Sequence, residues 1–232
     1  MAPGDLDRDR IGAIMVRVTS PIVAMLRPRL RGRVHQGAAV ASIGGLVWLI
    51  LDAHSGTALV AAWIYGLAMI ALYATSSSYH LYARSPRARQ VMQRADHSMI
   101  YVLIAGSCTP VCLLALTGSF RWVVLGIVWG GALAGVLMAA LALDRFPKLG
   151  WALYLVLGWA AVLAVPALAN RPELLAFAVF GGLLYTVGAI LFALHRPRPV
   201  AVWFGYHEFW HAFGVAAGAA VFAMNLGLIA AP

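Results

Sequence analysis

Charge is scarce in this 232-residue chain. Only 11% of its residues are charged, against 62% that are hydrophobic, and the mean hydropathy is +0.85. A soluble domain carries about 25% charged residues and needs them to cover its surface. The composition therefore excludes an ordinary water-soluble globule and makes lipid the solvent for most of the chain. Cysteine is nearly absent too: the two present, Cys108 and Cys112, both lie inside one apolar run, which argues against a disulfide framework. Lysine occurs once and acids eight times. No convincing signal peptide is present, because Arg17 and Pro21 interrupt the partly apolar stretch 11–26.

What remains is a series of long apolar runs separated by short basic segments. Runs of roughly twenty residues suffice to cross a hydrocarbon core about 30 Å thick. Seven are expected, at about 37–51, 57–82, 98–116, 122–143, 149–168, 174–194 and 203–230. They are continuous rather than alternating, so helices are expected and not a β-barrel. The expectation is an all-α membrane protein, a seven-helix transmembrane bundle over 34–232. It is preceded at 1–33 by an arginine-rich cytosolic tail or a helix lying on the membrane surface.

The formal charge of +9 is concentrated in the connections. Fifteen of the seventeen basic residues fall before the first run or between runs two and three, four and five, or six and seven. Only Arg121 and Arg171 fall on the opposite side. The positive-inside rule then places the N-terminus in the cytosol and, for seven spans, the C-terminus outside. Basic segments so placed suit anionic lipid headgroups, so membrane lipids rather than nucleic acid are the expected partners. Glycine pairs four residues apart (Gly126 and Gly130, Gly131 and Gly135, Gly214 and Gly218) favour close helix packing.

Ionisable residues inside a span are costly and usually have a partner or a task. Those associated with the runs are His80, Asp96, His97, His207, Glu208 and His211, with Ser76 beside them. With the expected topology, His80 ends the second span while Asp96 and the pair His207 and His211 open the third and seventh. All then lie at the cytosolic level. His207 and His211 are four residues apart, on one helix face, where both imidazoles can reach one cation. Together with His80 they form the three-histidine set typical of catalytic zinc. Asp96 could orient a water or take its proton, and Ser76 could hold the aspartate or the water. The competing reading is a satisfied polar cluster that glues helices together. The residues 207–211 also match H-E-x-x-H, but no soluble protease domain surrounds them. Glu208 projects about 100° round the helix from His207.

These residues resemble the hemolysin III branch of the progestin and adipoQ receptor (PAQR) family, within the wider group of membrane hydrolases that includes alkaline ceramidases. The matching pieces are Ser76-x3-His80, Asp96-His97-Ser98 within ADHSMIYVLIAGSCTP, and His207-x3-His211, and the resemblance covers about 34–230. It implies a seven-helix bundle with a cytosolic N-terminus, zinc held by His80, His207 and His211, and roles for Ser76 and Asp96 matching the family's serine and aspartate. Receptor members of the family look like zinc-dependent lipid amidases acting on ceramide, while bacterial members are associated with cytolysis and membrane-fluidity homeostasis. The long soluble N-terminal region of the animal receptors is not expected here, which counts against a hormone-receptor role. Three functions follow as expectations. The first is zinc-dependent hydrolysis of a lipid amide or ester, and the second is membrane regulation with zinc as a structural staple. The third is a pore or cytolysin, which the lack of a polar stripe through the spans disfavours.

Overall fold

The computed structural model describes residues 28, 30–142, 147–197 and 203–231. Of the expected tail at 1–33, positions 1–27 and 29 lie outside these residues, as do the basic positions Arg145 and Arg198. Every regular element among the described residues is helical. In chain order they are α1 (Arg33–Leu51), α2 (Gly56–Tyr82), α3 (Pro86–Pro110), α4 (Phe120–Ala142), α5 (Pro147–Trp159), α6 (Val165–Leu168), α7 (Pro172–Ala193) and α8 (Tyr206–Ile229). Sequence chemistry sets several of the ends. Ser55 and Ser85 each accept a backbone N–H with the side-chain oxygen, from Ala58 and Ala88 respectively, both at 3.1 Å. Proline stands in the first turn of α3 and of α7, where its missing N–H costs nothing.

Six helical stretches among the described residues are long and apolar enough to cross a membrane: 33–51, 56–82, 86–115, 120–141, 172–193 and 206–229. Their outward faces carry exposed Val47, Trp48, Leu51, Trp122, Leu133, Leu141 and Phe180. An apolar girdle of this extent is stable only against acyl chains. The expected fifth run, 149–168, is not one helix. It is divided into α5, a 3₁₀ turn at Ala160–Ala164, and the single turn α6. Pro166 supplies the reason, since its ring removes one backbone donor and crowds the carbonyl four residues earlier, and the chain tightens ahead of it.

A second difference concerns α3. Its apolar part was expected to begin at Ser98, with Arg84, Arg87, Arg89 and Arg94 in a loop. Instead the helix starts at Pro86, and only Ala83–Ser85 connect it to α2. The polar stretch 86–97 is rich in helix formers and is capped by Ser85, so it winds as an extension of the span. Arg94 reaches from it to the Ala140 carbonyl near the end of α4, 3.1 Å away. At its other end α3 passes through Pro110 into a π-helical turn, Val111–Ala115, closed by Leu116 N–H on the Val111 carbonyl at 3.2 Å.

Consecutive helices α1, α2, α3 and α4 pack side by side, and α7 pairs with α8 along its length. Helix α3 is central, touching α2, α4, α5 and α8. The core contains fully buried Tyr65, Tyr101, Leu49, Val128, Cys112 and Ile229. Of the small-residue pairs, Gly131, Gly135 and Gly218 do permit close approach: a Cβ there would collide with Leu157, Tyr101 and the Tyr73 hydroxyl. Gly126, Gly130 and Gly214 face open space and do no such work.

Candidate metal centre

The site forms where the C-terminal end of α2 meets the N-terminal end of α8 and the early turns of α3. His80 lies in the last turn of α2, His207 and His211 in the first two turns of α8, and Asp96 on α3. The one-face spacing of the α8 pair and the terminal position of His80 bring the three imidazoles together. Their nearest ligand atoms all lie within 4.8 Å of one another. The Nε2 atoms of His80 and His207 are 3.2 Å apart. Two nitrogens bound to one tetrahedral zinc, at 2.0–2.1 Å each, stand about 3.3 Å apart. The three rings are splayed rather than stacked, with planes 79°, 57° and 52° apart. That arrangement fits a metal ion, which needs lone pairs converging from different directions.

The carboxylate of Asp96 lies 4.0 Å from His80 Nε2 and lines the same cavity as Ser76. Ser76 is almost fully buried. Ser76, Asp96, His207 and His211 line a cavity of about 90 Å³. All five expected site residues are therefore neighbours. A larger, almost wholly apolar cavity of about 200 Å³ adjoins it, and the two share Ile100, Tyr154 and Trp210 as walls.

The remaining candidates are placed elsewhere. Glu208 is buried, but its carboxylate turns from the histidines: Oε1 accepts from Arg31 Nε at 2.9 Å and Oε2 from the Gly205 N–H at 2.8 Å. It caps α8 and ties down the segment before α1, so the H-E-x-x-H match has no metalloprotease geometry. His97 borders the cavity, with Nδ1 2.9 Å from the Gln93 carbonyl of its own helix. Cys108 and Cys112 are buried free thiols and belong to no metal-capable cluster among the described residues.

Sequence reasoning left one histidine out. His35 falls just ahead of the first expected run at about 37–51 and is not among the polar residues associated with the runs, yet α1 starts at Arg33 and places it in the first turn, 7% exposed, against His211. The signal that could have found it is depth, because α1 begins on the side of the bundle where α2 ends and α8 begins. The preceding turn is fitted closely here. Gly32 has φ +81° and lies against His80, so that a Cβ would stand 2.8 Å from the His80 Cβ.

A bundle of long apolar helices with a three-histidine cluster able to hold a metal, set beside a largely buried carboxylate, defines an integral multi-pass membrane protein with a polar centre where helix ends meet. The haemolysin-III related family matches residues 23–222, and the chain belongs to that family. It is 34% identical over 193 residues to hemolysin-3 of Bacillus cereus, covering 81% of this chain and 85% of that protein. Identity to the hemolysin-3 homolog of Bacillus subtilis (strain 168) is 35% over 193 residues, covering 81% and 87%. The human monocyte to macrophage differentiation factor is 30% identical over 170 residues, 70% of this chain and 67% of that protein.

Proposed function

We propose that this chain is a zinc-dependent hydrolase of lipid amide or ester bonds. It would have seven spans, with the N-terminus in the cytosol and the C-terminus outside. The observation that carries the reading is the juxtaposition of three elements: three converging imidazoles, a carboxylate 4.0 Å from one of them, and an apolar cavity sharing walls with the site. His80, His207 and His211 would hold the metal. When bound, zinc supplies Lewis acidity toward a carbonyl oxygen and toward water. Asp96 would take the proton of the attacking water as the new C–O bond forms. The same carboxyl group would then pass that proton to the departing amine nitrogen or alkoxide as the C–N or C–O bond breaks. Ser76 would hold the Asp96 carboxylate in line. The adjoining cavity would take the acyl chain, since its walls are almost entirely apolar.

The span this reading adds to the six is the fifth in chain order, the expected run 149–168, which α5 extends back to Pro147. Its 22 positions suffice to cross if largely helical, and it restores the alternation that puts fifteen basic residues on one side. A second reading is favoured by the sparse contact between α2 and α8. There the metal would tie two helices that otherwise scarcely meet, in a membrane regulator without turnover. Lysis, which the names of the bacterial relatives suggest, has less support. The mid-span polar groups Ser107, Thr109 and Asn225 are engaged with backbone carbonyls rather than aligned on a channel.

The test is incubation of purified protein in nanodiscs with ceramide-like and phospholipid substrates. The hydrolase reading expects fatty-acid release that stops with a chelator or with His207→Ala. Equal product from wild type, the chelated sample and the variant would refute it. Zinc content and thermal stability that fall together in His80→Ala, with no turnover in wild type, would favour the structural role.

A further inference from the structure

The three splayed histidines leave a fourth with no role. The His35 ring lies face to face with that of His211, with centroids 3.8 Å apart and planes within 8° of parallel. Tyr73 of α2 meets His35 edge-on, at 5.2 Å and 67°. Both neighbours are buried, and His35 Nδ1 has no hydrogen-bond partner. Among the four histidines this is the one parallel pair, since the cluster rings otherwise cross at 52° or more.

The parallel geometry rules His35 out as a fourth ligand. An imidazole nitrogen offers its lone pair in the plane of its own ring. A cation in the plane of His211 stands roughly one ring thickness out of the plane of His35, against its face and not its lone pair. The same geometry gives the face a use. Rotation of His211 about its side-chain bonds would swing its nitrogen away from the other two, and a flat ring in van der Waals contact admits only the parallel plane. Tyr73 backs His35 from α2, so α1 and α2 together fix a ring carried by α8.

We infer that His35 is a positioning residue of the metal centre, its ring face setting the plane in which His211 presents its nitrogen. This rests on reading His80, His207 and His211 as metal ligands. What matters is the flat face rather than the unpartnered nitrogen, so phenylalanine should substitute and leucine, of similar bulk but no plane, should not.

The experiment loads full-length protein in nanodiscs with Co²⁺ as the spectroscopic probe. It records the visible ligand-field spectrum and the Co²⁺ affinity for wild type, His35→Phe and His35→Leu, with the unfolding midpoint of each metal-free protein alongside. The expected result is that His35→Phe keeps the wild-type spectrum and affinity. His35→Leu should show a shifted band and a loss of about tenfold or more in affinity, the scale on which outer partners of metal ligands act. Equal spectra and affinities for wild type and His35→Leu would overturn the inference. So would a His35→Phe protein as impaired as His35→Leu, because the nitrogen rather than the plane would then be at work. A wild-type protein that takes up no Co²⁺ would instead remove the metal reading itself, and this inference with it.

Discussion

Replacing Arg31 with alanine strands a buried carboxylate. Glu208 is 1% exposed and has two partners, Arg31 Nε at 2.9 Å and the Gly205 N–H at 2.8 Å. Removing one side of a buried ion pair costs about 3–5 kcal/mol. The Arg31 side chain keeps 25% exposure, so water can partly replace it, and the lower end, about 3 kcal/mol, applies. In a chain of this size each kcal/mol lowers Tm by about 2–4 °C, giving a fall of roughly 6–12 °C. Removing the charge as well, in Arg31→Ala with Glu208→Ala, should recover a large part of that loss. Glu208→Gln, which keeps an oxygen for Gly205 but loses the charge-assisted bond to Arg31, should cost about 2 kcal/mol. Thermal unfolding of the four proteins in one detergent at neutral pH is the assay. If the Arg31→Ala protein and the double variant unfold at the same temperature, Arg31 is not what compensates the Glu208 charge. The same set tests the H-E-x-x-H match, because a structural Glu208 leaves metal content unchanged in Glu208→Gln, whereas a catalytic base would lose turnover without loss of stability.

Four further outcomes are expected. His80→Ala and His211→Ala should each reduce bound metal to a small fraction of wild type by elemental analysis of purified protein. Asp96→Asn should retain the metal and lose turnover by about 10²–10⁴-fold, the range for removal of a general base; retained turnover would take Asp96 out of the chemistry. Gly32→Ala should lower thermal stability by about 1–3 kcal/mol, since φ +81° and the contact with His80 both oppose a Cβ. The double variant Cys108→Ala with Cys112→Ala should leave metal content unchanged, whereas a loss of metal would bring the thiols into the site.

The parts of this molecule set by solvent were legible from residue order. Long apolar runs dictate helices in lipid, and the boundaries of α2 and α8 fall within a few residues of the expected ones because hydropathy changes sharply there. The convergence of His80, Asp96, His207 and His211 was legible for a different reason: charge asymmetry fixes the side on which each run starts, and depth then brings distant positions together. The start of α3 was not legible from hydropathy, which stops where lipid stops while a capped polar helix continues into water. The break at 160–164 needed the local effect of Pro166, which a window of apolar residues averages away. His35 was missed because one histidine beside an arginine-rich segment carries no signal without the ring packed on it. Glu208 was ambiguous, since only the bond from Arg31, 177 residues away in sequence, separates a helix cap from a base.

The distance along the chain between the histidines has a consequence for biogenesis. His80 and His207 are 127 residues apart. At a synthesis rate of about 5–20 residues per second, the α2 imidazole emerges on the order of ten seconds before its α8 counterparts. Throughout that interval the nascent bundle contains one of the three imidazoles and nothing to complete the set. The cluster is thus complete only in a nearly finished chain, and the arrival of α8 is the event that turns a set of inserted helices into a centre able to hold an ion.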